Sequence, residues 1–257
     1  MEQRFVFNEV ANLYDHARAG YPAALYDDIV AAARLSPGDA MLEVGSGTGK
    51  ATEGFAGRGL KILALEPGLD MISKARQRLA RFDDIRFIQT TFEAWPVEAG
   101  AFRLVSAAQS WHWVAPEVRF AKAFEALAPG GVLAVFGSSP TDIPSPLHEA
   151  LEKVYGLLAP ALAGRPPESS YLPIGPFAEY FQQSGLFGPV LHKGYSWSRR
   201  YSAQSYVEYL GSVSRYQMLD AARRETLLDA IAKEVEIHGG SFDLGYETHL
   251  YMAPRKA

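Results

Sequence analysis

The stretch MLEVGSGTGKAT, from Met41 to Thr52, decides the fold. An apolar run stands directly before three alternate glycines, Gly45, Gly47 and Gly49. A glycine-rich turn after a strand lets a ligand approach the backbone, because no Cβ stands in the way. Three ligands compete for such a turn. A nucleoside triphosphate loop requires G-x-x-x-x-G-K-[ST]. Counting back from Gly49-Lys50 puts Val44 where the first glycine belongs, and Ala51 takes the hydroxyl position, so this pattern fails. A dinucleotide turn requires G-x-G-x-x-G; Gly45 and Gly47 comply, but Lys50 holds the third place. What stands is E-x-G-x-G-x-G, beginning at Glu43, with Glu66 ending the next strand 21 residues after Gly45. A carboxylate there can accept both hydroxyls of a ribose, which favours an adenosine ligand with an unmodified diol. Lys50 reads as the first turn of a helix and not as a phosphate ligand.

Working outward, strand-like and helix-like runs alternate, which predicts βαβ units and a parallel sheet. Strands are expected at 40–45, 61–66, 85–89, 102–108 and 132–137, with helices at 22–35, 49–59, 68–80 and 116–131. The second half is less regular. A helix is expected at 145–163, a Pro/Gly/Ser loop at 164–176, a helix at 177–186 and a sixth strand at 189–201. Two helical runs, about 203–213 and 218–238, precede a last strand at 242–253.

The chain has 257 residues, 48% of them hydrophobic, enough for one large domain with a full core. Net charge is −4 without a basic stripe, which argues against nucleic acid as a partner. With no cysteine, disulfides, thiolate metal sites and cysteine nucleophiles drop out, and no metal constellation is visible. No segment reaches the roughly 18 apolar residues of a membrane span, so a soluble, cytoplasmic protein is expected.

Together EVGSGTGK, ALEPGLDMISKAR and EALAPGGVLAVF resemble, over about residues 38–137, class I S-adenosylmethionine (AdoMet) dependent methyltransferases. YDHARAGYP (14–22) and AAQSWHWV (107–114) resemble their trans-aconitate methyltransferase-like (methyltransferase type 11) branch, whose members methylate small molecules. The resemblance implies an α/β Rossmann-like three-layer sandwich: a seven-stranded, mostly parallel sheet with an antiparallel last strand beside the fifth, and a helical cap. It divides the one domain into a cofactor-covering segment (1–35), an AdoMet-binding core (36–140), a cap and substrate region (141–241) and the last strand (242–257).

By the same resemblance, the backbone at Gly45 and Gly47 passes under the methionine part of AdoMet, Glu43, Ser46, Ala108 and Gln109 also belong to the cofactor site, Glu66 holds the ribose, and Pro67 and Met71 lie near the adenine. Thr91 stands where the family usually has an Asp, with the Phe92 backbone N–H beside it. Arg103 replaces the acid of the family's F-D-x-V and is expected to be structural. Tyr14 and Arg18 close over the cofactor, Arg18 toward its carboxylate. Ala108, Gln109, Trp111, His112 and Trp113 sit at the carboxyl end of the fourth strand, where ligands meet open α/β sheets. His112 is the candidate general base for a phenol, amine or carbon acid; a carboxylate acceptor needs none. Trp111, Trp113, Arg199, Tyr206 and Arg215 are candidates for the substrate pocket, and Arg165, Arg199, Arg200 and Arg215 together for an anionic-substrate pocket. Tyr206, Tyr209 and Tyr216 near helical spacing suggest core as well as cap. Three rivals stay open: a cofactor-binding protein without turnover, a protein methyltransferase and a nicotinamide dehydrogenase.

Overall fold

The computed structural model describes residues 11–141, 143–163 and 167–257. In chain order the elements are α1 (Ala11–Ala17), α2 (Ala23–Ala32), β1 (Ala40–Val44), α3 (Lys50–Ala56), β2 (Lys61–Glu66), α4 (Leu69–Arg78), β3 (Ile85–Gln89) and β4 (Phe102–Ala108). There follow α5 (Pro116–Ala126), β5 (Leu127–Pro140), α6 (Ser145–Leu158), α7 (Phe177–Ser184), β6 (Leu191–Ser202), α8 (Ala203–Gly211), α9 (Ser214–Gln217), α10 (Ala221–Ile237) and β7 (Ser241–Pro254). None of the described helices is long and apolar enough to cross a membrane.

The seven strands form one sheet in the order β3-β2-β1-β4-β5-β7-β6. Strands β1 to β5 are parallel. β7 runs against β5: Arg255 N–H donates to the Gly131 carbonyl and Thr141 N–H to that of Gly245, so one numbering falls as the other rises. β6 opposes β7 in the same way, through Gly188 N–H to Pro254 O and Ala203 N–H to Gly240 O. The chain leaves β1 toward β2 and β3, then returns to the other side of β1 as β4. That reversal makes the carboxyl ends of β1 and β4 a topological switch point, where open α/β sheets bind ligands.

Alternation along the strands feeds two cores. Leu42, Val44, Leu63, Leu65, Val105 and Leu133 face one, with Phe120, Phe181 and Trp111. Met41, Ile62, Ala64, Leu104, Val132 and Ala134 face the other, with Leu25, Tyr26 and Phe55 of the covering helices. Strands buried on both faces read as continuous apolar runs, as AMLEV and KILALE do.

The chain divides into two compact units, one of residues 20–139, 167–195 and 248–257, the other of 1–19, 140–166 and 196–247. In the latter a tyrosine-rich core joins Tyr201, Tyr206, Tyr209, Tyr216 and Tyr246 to Leu227, Ile231 and Val235 of α10. Two hydroxyl pairs lie in it, Tyr155 with Tyr216 at 2.5 Å and Tyr201 with Tyr246 at 2.8 Å.

Two expected boundaries move. The helix expected at 116–131, running into a Pro-Gly-Gly stop, ends at Ala126, and β5 begins at Leu127, ahead of that stop and already extended at ψ 135°. Leu127 pairs with Phe102, and pairing resumes only at Val132 with Leu104, so the Pro-Gly-Gly segment forms a bulge inside the strand. The helix expected at 145–163 ends at Leu158, and a separate 3-10 turn spans Pro160–Ala163. Within the expected loop 164–176, a 3-10 turn covers Pro167–Tyr171 and Tyr171 is fully buried.

Gly54 shows how tightly α3 seats, since a Cβ there would collide with the Tyr26 ring. Gly54→Ala gains about 1 kcal/mol of helix propensity but overpacks at a cost of about 1–3 kcal/mol. The expected outcome is a lower urea midpoint than wild type; an unchanged or raised midpoint would show that Tyr26 yields freely.

Candidate functional site

All three glycines of the turn have positive φ: +70° at Gly45, +55° at Gly47 and +81° at Gly49. They serve different ends. A Cβ on Gly45 would stand 2.6 Å from Ser110 Cβ, and one on Gly49 2.8 Å from Leu79, so both are places of close packing. Gly47 has nothing within 4 Å on that side and leaves its surface open to a ligand. Ser110 was not foreseen. Its hydroxyl donates to the Val44 carbonyl, tying the ends of β4 and β1 together at the switch point.

Glu66 ends β2 with its carboxylate inside the turn. Oε2 accepts the Gly47 N–H and Oε1 the Gly68 N–H, each at 2.9 Å. Burial raises its pKa, and the two backbone donors act against that rise. Each oxygen keeps a further lone pair for a hydroxyl donor.

Glu43 is fully buried on β1, and among the described residues neither carboxylate oxygen has a hydrogen-bond partner. Burial pushes its pKa up to about 8; Thr52 counters the rise in part, without a well-formed hydrogen bond, and the Glu66 charge adds to it. The Ser46, Thr48, Thr52 and Ser106 hydroxyls are also buried without partners, and Ser106 pairs in register with Glu43. Buried polar groups in folded proteins are rarely left so. This cluster is therefore an unused set of donors and acceptors beside the turn, suited to a cation or a polar ligand tail.

Past β4, Gln109 takes positive φ, +59°, and its side-chain amide is engaged: Nε2 donates to Ser138 O at 3.0 Å and Oε1 accepts Ser138 N–H at 2.6 Å. It extends the β4–β5 pairing by one side chain. Trp111 is fully buried against Phe92 and Phe120, and its backbone N–H donates to the Tyr171 hydroxyl at 3.2 Å. The His112 ring lies edge-on to Tyr171 at 5.6 Å and tilted against Trp113 at 4.6 Å. Both its ring nitrogens are shielded from solvent and lack partners. Burial, and secondly the Arg119 charge, lower its pKa to about 3, so the imidazole is neutral.

Around the expected adenine position, Met71 and Phe92 are buried, and the Pro67 carbonyl accepts from Gln89 Nε2 at 3.3 Å. The Thr91 hydroxyl accepts the Ala94 N–H at 3.3 Å, in a local turn. Ala108 pairs with Phe136 at the end of β4. Arg103 donates to the Ala33 carbonyl, a structural contact.

The remaining candidates belong to the tyrosine-rich unit. Arg18 Nε donates to Ser212 Oγ at 3.0 Å, and its guanidinium lies over the Tyr14 and Tyr209 rings. Arg199 donates to the Ala17 carbonyl and Arg215 to the Leu162 carbonyl, each at 2.7 Å, while Arg200 pairs with Asp243 at 3.2 Å. Those bonds share no partner and do not gather the arginines into one cluster. Tyr206 is packed edge-on to Phe242 at 4.9 Å and only 4% exposed. Arg165 lies outside the described residues.

Glu43 carries a pH signature. Its folded pKa is raised, so between the ordinary value and about 8 the folded state holds a proton that the unfolded state has released. Stability must fall as pH rises through that window. Replacing Glu43 by Gln should flatten the decline, so that Glu43→Gln gains on wild type in urea midpoint between about pH 5 and pH 8.5. Parallel profiles would show that Glu43 is not the titrating group.

Likeness to known proteins agrees with this geometry. A family model described as "Methyltransferase domain" matches residues 41–131, the segment from β1 into β5. An uncharacterised methyltransferase of Mycobacterium tuberculosis is 31% identical over 127 residues, 49% of this chain and 49% of the relative, so the match spans about half of the relative's length. A trans-aconitate 2-methyltransferase of Rhizobium meliloti is 29% identical over 219 residues, 81% of this chain and 82% of the relative. A solved structure from Anaeromyxobacter dehalogenans, assigned as a type II methyltransferase, superposes with a TM-score of 0.62 at 20% identity, over 93% of this chain and 97% of its own; it speaks to the fold. With the glycine turn, Glu66 and the strand order, these likenesses make the chain similar to class I AdoMet-dependent methyltransferases, and among them to the trans-aconitate methyltransferase-like branch.

Proposed function

We propose that the chain transfers a methyl group from AdoMet to a small-molecule acceptor, with carboxylates foremost among the candidates. One observation carries the reading. At the switch point, Glu66 is oriented by two backbone N–H groups beside the open face of Gly47, and the buried Glu43 has no partner of its own. AdoMet fits that set, with a diol for Glu66 and the ammonium of its amino-acid tail for the polar cluster. When bound, it supplies an activated methyl group on a sulfonium. The protein's own work is then positioning and the exclusion of water. Gly45 and Ser46 line the tail, and Met71, Thr91 and Phe92 the adenine. The curated relative's name, trans-aconitate 2-methyltransferase, favours a carboxylate acceptor. Such an acceptor is its own nucleophile and needs no base, which suits a site whose His112 imidazole, with its pKa near 3, is a weak proton acceptor.

Calorimetric titration tests the cofactor assignment. Glu66→Gln should weaken AdoMet binding about ten-fold or more, since hydrogen bonds to a charged acceptor are worth about 1.5–3 kcal/mol each. The same change costs some folding stability, because Gly47 and Gly68 share that carboxylate. Unchanged affinity would overturn the assignment. Labelled methyl transfer across a panel of carboxylates, phenols and amines then tests turnover; tight AdoMet binding with no transfer to any acceptor would favour the binding-only rival.

His112 has its own test. With its pKa near 3, the pH–rate profile should carry no inflection from this imidazole between about pH 5 and pH 7. His112→Gln should leave transfer to a carboxylate acceptor within about two-fold, and a loss confined to phenols or amines would show that the imidazole takes the acceptor's proton despite its low basicity. Equal losses on both acceptor types would assign His112 to packing.

A further inference from the structure

Arg119 stands out because nothing pays for its burial. It is 5% exposed on α5, and among the described residues no carboxylate, carbonyl or hydroxyl accepts a hydrogen bond from it. Its Nε is sealed from solvent without a partner. Among the described residues the guanidinium lies over ring faces, Tyr180 at 4.9 Å and Phe120 at 5.4 Å. Burying a cation without an anion is unfavourable, and aromatic faces offset that in part. Arg119 also lines a cleft of about 430 Å³ between α5 and α7.

The other polar groups on that cleft are mostly engaged. Gln183 Nε2 donates to Glu179 Oε1 at 2.7 Å, and the Ser184 hydroxyl donates to the Phe181 carbonyl at 2.6 Å. Glu117 is exposed and makes no ion pair with Arg119. Pro116, Phe120, Ala121 and Leu186 supply apolar wall.

We propose that this cleft is a second binding site, separate from the glycine turn, for a small monocarboxylate with an apolar body. The guanidinium fork matches a carboxylate in a bidentate pair, and Tyr180 offers a phenol beside it. One cation, with Glu117 adding negative charge to the lining, suits one negative charge and disfavours polyanions. The apolar wall takes the hydrocarbon part. No residue of the site belongs to the glycine turn or to Glu66, so its test stands apart from that of AdoMet binding.

Benzoate and its neutral analogue benzamide, titrated separately into the protein and followed by backbone amide NMR, decide the question. The expected result is saturable shifts centred on α5 and α7 with benzoate, none at the same concentration with benzamide, and binding weakened about ten-fold or more in Arg119→Met. Met keeps an apolar chain over Tyr180, and a melting curve checks the fold. Should Arg119→Met fail to fold, Arg119→Lys, which keeps the charge without the fork, should bind benzoate more weakly than wild type. Equal responses to benzoate and benzamide, shifts centred elsewhere, or undiminished binding in the folded variant would each overturn the proposal.

Discussion

The Glu66 carboxylate holds the end of β2 to the turn after β1: one oxygen takes the Gly47 N–H, the other the Gly68 N–H. Gly45 and Ser46 reinforce the same junction by donating to the Leu65 carbonyl. A turn with three alternate positive-φ glycines has little local preference of its own, so it depends on such outside partners. The arrangement also keeps a buried acid oriented without neutralising it by a basic side chain. That leaves acceptor capacity free at the one place where the strand order reverses.

Around this junction the packing is differentiated. Gly45 and Gly49 are glycines because Ser110 and Leu79 occupy the space a Cβ would need, while Gly47 is open. On the β4 side, Ser110 bonds to β1 and Gln109 to β5, so the loop carrying Trp111, His112 and Trp113 is held at two points. Tyr171 completes it from a distant segment, accepting the Trp111 N–H and standing edge-on to His112. The neutral state of His112 follows from that enclosure and from the Arg119 charge.

Much of this was legible in advance because it is local. Strands β1 and β2 announce themselves as apolar runs, and the failure of both phosphate patterns at Val44, Lys50 and Ala51 could be counted from the residues. Glu66 was picked out by its spacing from Gly45. Ser110 and Arg119 gave no such signal: one is an ordinary serine in a loop, the other an ordinary helical arginine until its neighbours are known. Tyr171 sits in a segment that reads as loop, and only its burial reveals its part. Gln109 was expected at the cofactor; its amide instead is bonded to Ser138, a contact between strand ends that no linear pattern encodes.

The sequence by itself determined the alternation of strands and helices, the glycine turn and its partner acid, since these rest on period, spacing and the absence of side chains. It also carried the resemblance from which the antiparallel last strand was expected. Tertiary structure decided where the elements stop and what each polar group meets. The Pro-Gly-Gly segment became a bulge within β5 because Leu127 found Phe102 to pair with, overriding the helical pattern before it. Arg199 and Arg215 became braces for backbone carbonyls, and Arg119 met no anion among the described residues, because hydrogen-bond partners come from residues far apart in the chain.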